Sequence, residues 1–232
     1  MAKQLLGKEV TAALNEKIKA NVAELEAKGV KPTLGIIRVG EREDDLSYER
    51  GATKRCETLG VAYEKFLLPA DVTQKELMAT IDKVNKDDSI HGVLIFRPLP
   101  KHLDEAAVIK ALSPEKDVDG ITDGSMVGVF AGTKQGFPPC TPQACMEILD
   151  RYGIDCTGKK AVVVGRSLVV GKPAAMMLLK KNATVTICHT RTKDMPSVVK
   201  EADIVIVAAG RAGVVDDTYL RAGQTVIDVG IN

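Results

Sequence analysis

The sequence predicts an α/β protein of two domains, both built on parallel sheets. Three observations carry this. Short apolar runs alternate with helical segments along the chain. Those runs are continuously apolar, as strands covered on both faces are. A glycine- and proline-rich span at 128–142 interrupts the rhythm, so the 232 residues divide into 1–138 and 139–232.

In the first domain Val10, Leu14, Ile18, Val22 and Leu25 recur at helical spacing, and Gly29 closes that helix. Thr33–Val39 reads as a strand ending at Gly40, followed by a polar helix over 43–59 and a strand over 61–68. Thr73-Gln-Lys-Glu76 is a capping box that opens the next helix. The strand GVLIF at 92–96 stops at Arg97-Pro98. In the second domain Thr141 is expected as an N-cap with Pro142 at the first helical position, and Gly153 as the stop. Strands over 160–164, 183–188, 203–208 and 225–229 follow, with helices from Gly171 and over 195–201.

Composition removes several function classes. A net charge of +1 gives no electrostatic case for nucleic acid or an anionic membrane. No run approaches the ~18 apolar residues of a membrane span, and the amino terminus lacks a signal peptide's apolar core. The five cysteines are odd in number and include no C-x-x-C pair. Cys140 and Cys188 read as small buried fillers with no chemistry, and His91, His102 and His189 show no ligand spacing. A cytoplasmic protein without a metal is the expectation.

Chemistry enters at AVVVGRSLVVGKP, residues 161–173. A strand delivers Gly165 at its carboxyl end, where doubly wound sheets bind ligands. The helix from Gly171 is expected to turn free amides and its positive dipole end toward that point, with glycines letting the backbone approach a pyrophosphate. G-x5-G alone is equally compatible with a ligand-free βα turn. NAD-binding units place a carboxylate at the end of the next strand; here CHTRT at 188–192 has none. Thr190, Arg191 and Arg166 suit a 2′-phosphate, which favours NADP over NAD, unless the arginines are merely solvated.

Five motifs then stand in one order: PLP at 98–100, KDVDG at 116–120, PCTP at 139–142, GRS at 165–167 with VGKP at 170–173, and VIDVGIN at 226–232. Together they closely resemble the bifunctional methylenetetrahydrofolate dehydrogenase/cyclohydrolase family along the whole chain. The resemblance implies two α/β domains with a cleft between them, usually in a homodimer: an N-terminal α/β substrate domain that takes the folate and a C-terminal Rossmann-like dinucleotide-binding domain that takes NADP. It implies oxidation of 5,10-methylenetetrahydrofolate to the methenyl form, then hydrolysis to 10-formyltetrahydrofolate. Carried over by motif, Tyr48 packs against the folate, Asp119 hydrogen-bonds the pterin, and these two are the catalytic residues. Pro98, Leu99 and Pro100 shape the pocket wall. Gly165, Arg166, Ser167, Val170, Gly171, Thr190, Arg191 and Ile231 contact the cofactor. Without the family, Tyr48 is half-buried packing and Asp119 an Asx-turn residue.

The chain departs from the family at several places. The family's lysine four residues after the tyrosine is Ala52, while Lys54 faces away around the helix. The glutamine before Leu-Pro-Leu-Pro is Phe96, followed by Arg97. One extra residue lies within 120–128. The family also continues beyond the position of Asn232 with a glycine-rich loop and a helix, and a chain without them is expected to expose apolar surface and be poorly active. The resulting expectation is an NADP-dependent dehydrogenase with cyclohydrolysis weak or lost. Retained bifunctionality, a non-catalytic folate- or nucleotide-binding paralogue and a dehydrogenase of a small acid stay as alternatives.

Overall fold

The structure is a computed structural model that describes residues 3–230. The chain forms two compact units. One comprises Leu6–Ser125 with Gln135–Phe137; the other comprises Pro138 onward with Met126–Lys134 and the residues just before Leu6. The units therefore differ from the sequence boundary at 138/139 chiefly in Met126–Lys134, which packs with the second.

In the first unit, α1 (Gly7–Ala27), β1 (Thr33–Val39), α2 (Glu43–Leu59), β2 (Ala62–Leu68), α3 (Gln74–Lys86) and β3 (Gly92–Ile95) alternate as expected. The strands form a parallel sheet in the order β2-β1-β3. On one face Ile37 and Val39 of β1 and Val93 and Ile95 of β3 meet Leu77, Ile81 and Val84 of α3. The capping box forms: the Thr73 hydroxyl accepts from Glu76 N–H, and the Glu76 carboxylate accepts from Thr73 N–H. Two helices have no counterpart in the sequence reading, α4 (Glu105–Ala111) and α5 (Asp123–Ala131). Asp104 caps α4 through Ala107 N–H, yet the helix spans only two turns. The α5 sequence DGSMVGVFA is apolar nearly all round and shows no helical stripe.

The second unit carries α6 (Cys140–Arg151), β4 (Lys160–Val164), α7 (Gly171–Lys180), β5 (Thr184–Cys188), α8 (Met195–Lys200), β6 (Ile204–Val207) and β7 (Thr225–Asp228). Its sheet is parallel, in the order β5-β4-β6-β7. Alternate strand residues feed opposite layers. Ala161 and Val163 pack with Ala174 and Leu178 of α7, whereas Val162 and Val164 pack with Val199 of α8. That two-sided burial is why the strands read as unbroken apolar runs. From β4 the chain steps to β5 on one side and then to β6 on the other, opening a crevice at the strands' carboxyl ends. One expectation is corrected here. Extended Pro139, not Thr141, is the N-cap of α6. Pro142 lies in the helix's first turn, where its missing N–H leaves no bond unmade.

Candidate active site

In the first unit the residues singled out by motif gather near the carboxyl ends of β1 and β3. Phe96 follows Ile95 in register, its N–H donating to Ile37 O over 3.0 Å. Its ring is 6% exposed, and Tyr48 of α2 meets it edge-to-face with centroids 5.8 Å apart. Tyr48 itself is 70% exposed, so one ring face is open to a planar ligand. Ala52 lies on the partly buried flank of the same helix. The nearby arginines differ in how firmly they are held, and among the described residues the buried Nε of Arg97 has no hydrogen-bond partner. Arg55 donates to Asn15 Oδ1 of α1, and Arg97 stands 3.5 Å from the Glu105 carboxylate.

Glu105 also accepts from Leu99 N–H at 2.8 Å, which pins the proline loop to the start of α4. Leu99 turns inward and joins the core, while Pro98 is exposed and Pro100 half-buried. Of the three residues expected to shape a pocket wall, only the two prolines are accessible, while leucine anchors the loop.

The turn KDVDG lies beside β3: Val93 N–H donates to Lys116 O, and Val93 bridges to Asp117. Asp117, which the sequence reading passed over, is the fully buried carboxylate of the pair. It accepts from Ile121 N–H at 3.0 Å, Thr122 N–H at 2.7 Å and Ser125 O–H at 2.6 Å. Asp119 is half-buried at the other side of the turn. Hydroxyl residues at 122 and 125 lie within turn and capping reach of both aspartates, so the sequence does not single out Asp117. Asp117→Asn presents an amide to donors that need an acceptor, so about 1–3 kcal/mol of stability is expected to be lost; thermal unfolding checks this, and an unchanged melting temperature contradicts it.

Beneath α2 lies a second feature the motifs did not flag. Glu49, next to Tyr48, accepts from Arg38 Nε of β1 at 2.6 Å and from Lys65 Nζ of β2 at 2.8 Å. Arg38 also donates to Gly40 O. Burial pushes the Glu49 carboxyl up, but the Lys65 and Arg38 hydrogen bonds outweigh it and hold it below the ordinary glutamate range.

In the second unit the glycine loop joins β4 to α7. Gly165 has φ +130°, and a Cβ there would sit 2.4 Å from Ala208 O. A Cβ on Gly171 would sit 2.3 Å from Gly165 O. Both glycines are required by close backbone packing, on Ala208 and on each other. The helix amides are not free either. Ser167 Oγ accepts from Val170 N–H at 3.1 Å and Gly171 N–H at 3.5 Å, and Lys172 N–H donates to Ser167 O.

Beside this loop a cavity of about 560 Å³ opens at the carboxyl ends of β4, β5 and β6. Gly165, Arg166, His189, Thr190, Gly210, Arg211 and Tyr219 line it, and no carboxylate is among its lining residues. Arg211 was not expected; it follows β6 in a Gly-Arg-Ala-Gly turn that mirrors the loop after β4. Arg191 is exposed next to the cavity, its N–H donating to His189 Nδ1 at 3.2 Å. Cations, a hydroxyl and a flat aromatic ring without a carboxylate fit a phosphorylated dinucleotide. Ile231 lies outside the described residues. A smaller depression against α8 sits at the opposite, amino ends of β4 and β5 and includes the paired Lys160 and Glu201.

Four of the five thiols are buried, Cys188 among them as expected, and burial pushes Cys145 up to about 11. Cys140, also expected as a buried filler, is instead exposed at the first position of α6. Among the described residues no group of three His, Cys, Asp or Glu is placed to hold a metal, and no helix is long and apolar enough to cross a membrane.

Known proteins resemble this arrangement across both units. Residues 5–119 match the catalytic domain, and residues 139–232 the NAD(P)-binding domain, of tetrahydrofolate dehydrogenase/cyclohydrolase. The bifunctional protein FolD of Carboxydothermus hydrogenoformans is 55% identical over 232 residues, covering all of this chain and 81% of that protein. The crystal structure of the Campylobacter jejuni bifunctional enzyme FolD superposes with a TM-score of 0.93 at 38% identity, over 98% of this chain and 81% of that one. The Trypanosoma brucei enzyme, crystallised with NADP and an inhibitor, gives 0.86 at 34% identity, over 97% and 77%. The chain belongs to the tetrahydrofolate dehydrogenase/cyclohydrolase family.

Proposed function

We propose that this chain is an NADP-dependent methylenetetrahydrofolate dehydrogenase in which cyclohydrolysis is weak or lost. The cavity lined by Arg166, Thr190 and Arg211, with no carboxylate at the end of β5, is the observation that carries the cofactor assignment. NADP, when bound, supplies the hydride acceptor. Arg166, Thr190 and Arg191 hold its 2′-phosphate, while Gly165, Ser167, Val170 and Gly171 form the loop it rests against. In the first unit the open face of Tyr48 stacks on the folate, Asp119 hydrogen-bonds the pterin, and Pro98 and Pro100 bound the pocket. No protein base is required for loss of hydride, because the folate nitrogen lone pair stabilises the methenyl cation; orientation is what these residues contribute. Hydrolysis differs, since it needs a positioned proton-transfer group, and Ala52 and Phe96 supply none. The reading includes a cytoplasmic homodimer.

Absorbance of NADPH formed from methylenetetrahydrofolate tests the activity. Binding of both ligands without any absorbance change would instead indicate a non-catalytic paralogue. A second reading, retained bifunctionality, is favoured by the name of the 55% identical relative. For the cofactor, Arg191→Ala is expected to weaken NADP by roughly ten- to a hundredfold, the equivalent of ~1.5–3 kcal/mol for a charge-assisted bond, with NAD little changed. Equal loss of both cofactors in titration calorimetry contradicts the 2′-phosphate role.

A further inference from the structure

We propose that Glu49 is a positioning residue for Tyr48, acting through the buried Arg38–Glu49–Lys65 network; this rests on the reading that Tyr48 packs against the folate. Arg38 interrupts the otherwise apolar run of β1, and both it and Glu49 are under a tenth exposed. An ion pair so enclosed is weak support for stability, because apolar residues of similar size serve as well or better. Its distinct property is direction. One Glu49 oxygen faces Arg38 of β1 and the other faces Lys65 of β2, so two strands grip one carboxylate on α2. Apolar contacts allow a helix to roll by several degrees, whereas a carboxylate held from both sides resists rolling.

Tyr48 is the residue whose aim depends on that roll. It precedes Glu49 on α2, and its ring contacts only the edge of Phe96 among aromatic partners in the described residues. Phe96 stands in register beyond Ile95, beside Arg38 on the same sheet face. The network and the aromatic pair are therefore neighbours on two connected elements, and roll of α2 changes the angle between the open Tyr48 face and a bound pterin. Thr53, one turn further, is also buried, so the same face of α2 continues toward the sheet beyond Glu49.

Steady-state kinetics with methylenetetrahydrofolate and NADP, alongside thermal unfolding, test this on Glu49→Gln, Arg38→Leu/Glu49→Leu, Tyr48→Ala and Tyr48→Ala/Glu49→Gln. Glu49→Gln is expected to raise KM for the folate on the order of tenfold, the scale of a small misplacement, with KM for NADP unchanged. The Leu/Leu variant keeps the wild-type melting temperature or exceeds it, with Lys65 free to turn to solvent, yet its folate KM stays raised. Glu49→Gln adds nothing on the Tyr48→Ala background, as expected of a residue acting through another. A Leu/Leu variant with wild-type folate KM overturns the inference, as does a further rise on the Tyr48→Ala background; Tyr48→Ala still raising KM then leaves the Tyr48 reading in place. Tyr48→Ala without effect removes that reading and the inference with it. Should Glu49→Gln not fold, the Leu/Leu variant decides alone.

Discussion

Purified protein is expected to consume 5,10-methenyltetrahydrofolate at close to the spontaneous rate while forming NADPH readily from methylenetetrahydrofolate. Attack on the methenyl carbon needs a water with its protons managed, and positioned proton transfer contributes ~10²–10⁴-fold. Ala52 exchanges no proton, and neither does Phe96, whose buried side chain packs against the Tyr48 ring. Of the two arginines that are candidates to take over, Arg55 reaches Asn15 on α1, and Arg97 is held only by a 3.5 Å ion pair with Glu105, its buried Nε finding no hydrogen-bond partner among the described residues. An arginine also stays protonated and makes a poor base. Stopped assays of methenyl absorbance against a protein-free control measure this. Hydrolysis comparable to the dehydrogenase turnover refutes it and favours bifunctionality. Ala52→Lys with Phe96→Gln is expected to raise hydrolysis, because both positions border Tyr48 on elements that are otherwise in place.

Gly171→Ala is expected to abolish tight NADP binding while leaving the first unit folded. The added methyl meets Gly165 O at 2.3 Å, Gly165 C at 2.5 Å and Arg166 N at 2.8 Å, all of them backbone atoms. No rotamer change relieves that. Either α7 backs away from β4, or the loop carrying Arg166 and Ser167 moves. Overpacking of this kind costs about 1–3 kcal/mol, and the displaced loop no longer presents Arg166 to the cavity. Calorimetric titration with NADP reads the loss directly, and circular dichroism shows whether the fold persists. Wild-type affinity in Gly171→Ala means the contact relaxes without touching the site.

Features governed by neighbouring residues were legible in the sequence. Thr73 and Glu76 cap each other across one turn, and Gly29, Gly60 and Gly153 follow helix ends with φ of +77°, +76° and +65°. Continuous apolar runs gave the two parallel sheets. Features decided by distant partners were not legible. Asp117 and Asp119 are chemically identical and two residues apart, and only the fold of 121–125 makes the first a structural hub. The expected free amides of α7 are taken by Ser167, because a hydroxyl three residues ahead caps as well as a residue at the cap itself. The Arg38–Glu49–Lys65 cluster joins three elements, and its sequence trace is an arginine inside Ile-Ile-Arg-Val. Short α4 and stripeless α5 gave periodicity nothing to detect.

The self-capped loop after β4 separates two things that cofactor sites often combine. Its amides are already bonded through Ser167, and its glycines are locked against Ala208 and against each other. Little backbone must therefore be ordered when a dinucleotide arrives. Arg166, Thr190 and Arg191 are by contrast exposed. Substitutions at such positions usually change stability by within about 0.5 kcal/mol. With the 2′-phosphate assigned to these residues as proposed above, choice between phosphorylated and unphosphorylated cofactor is uncoupled from folding. A lineage carrying this loop is free to drift between redox pools by exchanging surface residues, with the scaffold left untouched at each step.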